Sequence, residues 1–262
     1  LYVTATPQDF AYESSCTYML PGTYYYVSFR SATMNVYDNV VITNGCWRDP
    51  SNVNFISKGE NAHIAFNTFG NNKALTFNVD VTLKSIGNVS SLTIADTNTL
   101  TIAGNITWNN NFTLPKNLII ADGGTLTIND TPTLPENITI ENGGTLNLTG
   151  GVTLTNNITI EEGGILNLSG NVNLGCDIAI AKDGVLNMSG QYISFAATEL
   201  SQYANITGEG TIKFSKTNGS AFISNLTNCL SCDTVIYPSN QSIIYEPSCT
   251  HMLPGTYYNA EA

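Results

Sequence analysis

Acid–base catalysis needs titratable groups whose surroundings push their pKa values apart, and the residues that could supply them are sparse in this chain. There are two histidines (His63, His251) and two arginines (Arg30, Arg48) beside twenty carboxylates in 262 residues. Neighbouring acids such as Glu161 and Glu162 have no basic partner to separate them. Asp122, Asn142, Glu162 and Lys182 share one column of a regular repeat but alternate in kind, which suits a solvated edge. Neither an Asp-rich twelve-residue loop nor a Gly-Gly-x-Gly-x-Asp repeat is present to hold calcium. The expectation is a protein that is not an enzyme and takes no metal or cofactor.

Cysteine and asparagine offer other chemistry. Cys229-Leu-Ser-Cys232 has the spacing of a redox pair. Six cysteines among Asn-rich segments, without the Cys and His spacing of a zinc site, favour secretion with disulfide staples instead. The staple candidates are Cys16 and Cys46 near the start and Cys229, Cys232 and Cys249 near the end; their pairing stays open. Thirteen Asn-x-Ser/Thr sequons make N-linked glycans a second expectation. Asn147, Asn167 and Asn187 fall in one column of the repeat, where rungs about 4.8 Å apart leave no room for a glycan on each. Their amides are expected to bond up and down a stack. The better acceptors are Asn88, Asn111, Asn205, Asn218, Asn225 and Asn240.

The elements that position these residues follow from composition and period. Asn (33), Thr (33), Ser (20) and Gly (22) dominate, helix formers are scarce, and only 11% of residues are charged, with a net charge of −11. This reads as an all-β chain with no basic patch for nucleic acid. Its acidity disfavours anionic membrane surfaces, and no run approaches the eighteen or more apolar residues of a spanning helix. The chain opens at Leu1 without an initiator Met or a signal sequence, as expected of a processed chain or a slice of something longer.

Between Phe112 and Gly190 the sequence superposes on itself with a 20-residue period and no gaps. Apolar columns run Ile138/Ile158/Ile178, Leu126/Leu146/Leu166/Leu186 and Leu134/Leu154/Leu174, beside an unbroken column Gly124/Gly144/Gly164/Gly184. Within each unit the apolar residues come as three pairs at i and i+2, the period of a strand with one buried face. Three strands per unit is the pattern of a parallel β-solenoid, in which one rung cannot fold without its neighbours. The glycine column is expected to supply a positive φ at each turn. Leu92/Ile94 and Leu100/Ile102 match the first two strand pairs at an offset of 26, with a loop expected around Trp108. Ile212/Phe214 lie 26 beyond Leu186/Met188, again as expected of a rung with an insertion. Residues 25–84 alternate but show no fixed period. The division expected is 1–87 as an irregular β-rich cap or early rungs, 88–225 as regular solenoid, and 226–262 as a Cys- and Tyr-rich joint repeating residues 1–29.

That last repeat is long. Residues 12–26 recur as 245–259, twelve of fifteen positions identical at an offset of 233. Either a short motif is reused in two unrelated loops, or a module as long as that offset is followed by the start of another. On the second reading the joint between modules comprises Tyr18, Met19, Leu20, Pro21, Tyr24 and Tyr25 with Met252, Leu253, Pro254, Tyr257 and Tyr258, whose tyrosines suit an interface.

In its rungs, with Ile-Thr-Ile-Glu-Asn-Gly-Gly-Thr-Leu-Asn-Leu at 138–148 as the clearest, the chain resembles secreted parallel β-helix proteins of the pectin-lyase-like and adhesin-passenger kind. The resemblance covers about residues 88–215 and lacks the catalytic motifs of the pectin-degrading members. It implies an extracellular rod at a cell or filament surface; the length of the rung favours the right-handed form. Together these readings lead to a structural subunit or module of an extracellular filament, sheath or fibrous adhesin, assembling head to tail with other copies of itself. The competing expectation is a monomeric glycan-binding or carbohydrate-active β-helix, with an aromatic or acidic strip along one face.

Overall fold

The computed structural model describes residues 9–12, 15–30, 33–43, 45–47, 52–70, 73–87, 89–108, 112–129, 133–194, 206–214, 220–224, 231–236, 242–250, 252 and 259–261. Among them every regular element is a strand, and the described strand pairs are parallel, so the chain is an all-β parallel solenoid. It divides into two compact units, Leu1–Ile119 and Ile120–Ala262.

In the first unit each circuit of the chain adds a strand to up to three ladders. One ladder carries Asp9–Tyr12, Tyr26–Phe29, Gly45–Trp47 and Phe69–Gly70. The second carries Tyr18–Met19, Thr33–Val36, Asn52–Ser57, Lys73–Asn78, Val89–Ile94 and Phe112–Thr113, and the third Gly22–Tyr24, Asn39–Ile42, His63–Phe66, Asp80–Leu83 and Thr99–Ile102. Rung length varies, which explains why no period is visible between residues 25 and 84. Met34 lies beside Phe55, Phe55 beside Phe77 and Phe77 beside Ile94, and the last of these steps along the chain is shorter than the first two. Along the third ladder Val40, Ile64, Val81 and Leu100 are successive partners, again at unequal intervals. The connections absorb the difference, and the alternation inside each strand keeps the apolar column buried. Phe55 and Phe77 stack at 5.1 Å, and Phe66 meets both edge-on at 5.7 Å.

The offset of 26 fails for both strand pairs in this unit: Thr99–Ile102 neighbours Asn117–Ile120, so Leu100/Ile102 belong with Leu118/Ile120 and not with Leu126/Ile128. Leu92 and Thr93 pair with Phe112 and Thr113, so this strand stacks on the third-strand column and not on Leu118. Trp108 does not ride on a loop. It ends the strand Asn105–Trp108, is buried, packs edge-on against Phe112 at 5.2 Å and donates its indole N–H to the Phe112 carbonyl. The three-strand template places Leu92/Ile94 in the wrong ladder, because the i, i+2 spacing is common to all three.

In the second unit the columns of the regular repeat are in register. Leu126, Leu146, Leu166 and Leu186 are successive ladder partners, as are Ile138, Ile158 and Ile178, and Leu154 with Leu174. Leu186 pairs with Ile212 and Met188 with Phe214, as the sequence offset requires, and the extra residues fall mostly between 194 and 206. Gly208-Glu209-Gly210 lies within the strand Ile206–Phe214 and forms its corner: pairing passes there from Ile178–Ile180 to Val185–Met188, with Gly208 at a φ of 117°.

The glycine column has a different cause from the one expected. The turn is closed by Gly144 N–H to Glu141 O and Gly164 N–H to Glu161 O, both at 2.9 Å. The positive φ falls one residue earlier, at Gly123, Gly143 and Gly163 (70–73°) and at Asp183 (62°), the third position of a type II turn. Gly144 and Gly164 are needed because a Cβ there would lie 2.5 and 2.6 Å from the carbonyl oxygens of Ile120 and Ile140 in the rung before.

Candidate functional site

The most completely built polar feature is a side-chain ladder on the strands Thr125–Ile128, Thr145–Leu148, Ile165–Leu168 and Val185–Met188. Alternation turns Leu146 and Leu148 inward, so Asn147 faces out, half-buried between its neighbours. Asn147 Nδ2 donates to Thr127 Oγ1 at 3.2 Å, Asn167 Nδ2 to Asn147 Oδ1 at 2.7 Å, and Asn187 Nδ2 to Asn167 Oδ1 at 3.2 Å. Two positions further along the chain a hydroxyl reaches back one rung: Thr149 donates to Asn129 Oδ1 at 2.8 Å, and Ser169 and Ser189 donate to the carbonyls of Leu148 and Leu168 at 3.3 and 3.5 Å. These Asn and Ser/Thr pairs are three of the sequons. Both members of each are therefore accounted for by bonds along the stack.

The charged residues are dispersed. Asp122, Asn142, Glu162 and Lys182 occupy the exposed second position of successive turns, and Glu161 is exposed beside them. No cluster of three or more His, Cys, Asp or Glu able to hold a metal ion occurs among the described residues. His63 sits in register with Asp80 and bonds Thr82 Oγ1 at 2.9 Å through Nε2. Burial pushes its pKa below the ordinary value, with Asp80 acting the other way. Cys176 is buried, and desolvation, reinforced by Asp177, pushes its thiol up to about 12, so it stays protonated and unreactive.

Of the cysteine candidates, Cys16 and Cys249 are free thiols, the first exposed and the second donating to the Ile223 carbonyl at 3.2 Å. The backbone of Cys46 lies in the strand Gly45–Trp47 and that of Cys232 in Ser231–Ile236, while Cys229 lies outside the described residues. Asn88, Asn111, Asn205, Asn218, Asn225 and Asn240 all lie outside them too.

In the first copy of the long repeat Tyr18, Leu20, Pro21 and Tyr25 are exposed, Met19 is turned into the core beside Val36, and Tyr24 Oη donates to the Leu20 carbonyl at 2.8 Å. Tyr37, for which the sequence gives no signal, stacks on Tyr18 at 5.8 Å. Only the short rung that sets Tyr18 beside Asn35 brings the two together, and that register has no signature in the sequence. In the second copy Met252 is exposed, while Leu253, Pro254, Tyr257 and Tyr258 lie outside the described residues. Another aromatic pair, Tyr192 and Phe222 on successive rungs, is stacked at 5.0 Å, the ring faces turned toward each other.

Where both copies are described, their flanking strands pair in the same way. Asp9–Tyr12 pairs with Tyr26–Phe29 in the register Asp9–Tyr26, Phe10–Val27, Ala11–Ser28. Ser242–Tyr245 pairs with Asn259–Glu261 in the register Ser242–Asn259, Ile243–Ala260, Ile244–Glu261, which is the same register displaced by the offset of the repeat. The repeat is thus a repeated piece of solenoid, and the reading of two unrelated loops does not hold. No helix among the described residues is long and apolar enough to cross a membrane. No protein family, curated protein or solved structure matches the chain, so the parallel β-solenoid is the part of its resemblance to β-helix proteins that stands on observation.

Proposed function

We propose that this protein is a structural subunit or module of an extracellular filament, sheath or fibrous adhesin, built by head-to-tail addition of like copies. The observation that carries the reading is the shared register of the two copies of the long repeat. Two strand pairs that share one register are suited to the same neighbouring strand. A parallel solenoid adds the physical motive, since an end strand offers unpaired N–H and C=O groups and a contact that does not close on itself grows into a fibre. The Asn ladder fits a load along the stack, because its bonds join rung to rung. Secretion, adhesion and N-linked glycans belong to the same proposal, supported by the sequons and the resemblance.

The glycan-binding alternative has less support. Tyr192 and Phe222 turn their faces to each other, whereas a sugar ring stacks on an open aromatic face. Electron microscopy of native material, with its denatured mass measured on the same preparation, tests the proposal. Filaments one molecule wide are expected; monodisperse particles of a single copy at every concentration would overturn it.

A further inference from the structure

The second copy of the repeat is seated on a particular strand. Ser242–Tyr245 pairs with Ser220–Ser224, with Ser220 beside Ser242, Ala221 beside Ile243, Phe222 beside Ile244 and Ile223 beside Tyr245. Glu246 N–H continues the ladder to the Ile223 carbonyl at 2.8 Å. Ile243 and Tyr245 are buried, and Asn259–Glu261 lies on the far side. Asp9–Tyr12 holds the equivalent place in the first copy: Phe10 and Tyr12 stand at the positions of Ile243 and Tyr245, and Val27, beside Phe10, is buried. Among the described residues Asp9–Tyr12 ends its sheet, with Tyr26–Phe29 as its one neighbour.

We propose that the strands Asp9–Tyr12 and Tyr26–Phe29 of one copy take the place of Ser242–Tyr245 and Asn259–Glu261 on the Ser220–Ser224 strand of a second copy, so that copies join by exchanging equivalent strand pairs. This deepens the head-to-tail reading and rests on it. The partner is a second copy because the seat is already occupied by a segment that shares this chain's own register. The joint is then a parallel ladder with Phe10 beside Ala221 and Ala11 beside Phe222. Exchange swaps like for like, which makes it a low-cost route to association. The segment attached in the same chain holds the seat by effective concentration, so it acts as a plug that weakens with any loss of its own ladder bonds.

A photo-cross-linking residue at position 11 of the full chain, in an equal mixture of isotopically light and heavy copies, reads the joint directly. Intermolecular adducts are expected within residues 220–224. Ile244 has the strand parity of Glu246, whose N–H donates to Ile223, so Ile244→Pro removes a ladder donor from the plug. It is expected to raise the adduct yield at least fivefold. A synthetic peptide of residues 9–30 carrying the same cross-linker, added to the unaltered chain, gives a second arm that does not depend on folding of the variant; it is expected to label the same strand. Copies that associate in sedimentation but cross-link elsewhere, or a peptide that labels other strands, would overturn strand exchange and leave head-to-tail assembly standing. Absence of association and of adducts at every concentration would overturn both.

Discussion

Asn167 shows what a single polar residue contributes to the stack. Its amide donates to Asn147 and its carbonyl oxygen accepts from Asn187, so truncation removes one bond to the rung before and one to the rung after. Asn167→Ala is expected to cost about 1–3 kcal/mol, the range for leaving partly buried partners unmade, as measured by urea unfolding of the variant against the parent chain. The ladder also bears on modification. With Nδ2 of Asn147, Asn167 and Asn187 engaged and the rungs closely stacked, these three sequons are expected to stay unglycosylated even in a host that fills others, a result peptide mass spectrometry reads directly. His63 sets a pH dependence whose sign follows from its lowered pKa. The unfolded chain binds a proton near the ordinary value, about 6.5, while the folded chain resists it until lower pH. The stability contributed is therefore present above that value and is lost as pH falls through the folded pKa. Unfolding midpoints at pH 7.5 and pH 5.5 are expected to differ less in His63→Gln than in the parent.

At the scale of the element, what is legible in the sequence depends on whether rung length is constant. From Phe112 to Gly190 each connection has the same length, so the register can be written down from the columns, and the pairing of Leu146 with Leu166 or Asn147 with Asn167 follows from it. Between residues 25 and 84 the same alternation is present, but connections of varying length hide the register that puts Met34, Phe55 and Phe77 in one column. The misplacement of Leu92 and the supposed loop at Trp108 arise in the same way: an i, i+2 pair announces a strand without saying to which ladder it belongs. The glycine column is visible in the sequence, whereas its cause is not, since a clash with a neighbouring rung has no local signal. Gly164→Ala tests that cause. Its Cβ would press on the Ile140 carbonyl, which is backbone and cannot rotate away. A loss of about 1–3 kcal/mol is expected from overpacking, whereas a positive-φ explanation would put the larger penalty at Gly163 and leave Gly164→Ala close to neutral. The candidate joint is only partly legible: the repeat of residues 12–26 marks the segments, but the seat on Ser220–Ser224 has no counterpart in the repeated motif and emerges from the ladder alone.

For the whole molecule, the sequence and the fold lead to the same kind of object from different directions. Low charge, abundant Asn and Thr, and a regular period describe a chain stabilised by stacking, and the parallel ladders supply the stack. The shared register of the two copies of the long repeat argues for self-association along the solenoid axis. Fibre diffraction of aligned filaments tests it most directly, because the strands of a solenoid run across its axis and the rungs repeat along it. Head-to-tail growth predicts a reflection near about 4.8 Å on the meridian, the spacing of neighbouring strands. The same reflection on the equator would mean that solenoids lie across the filament and associate side by side, which excludes head-to-tail growth.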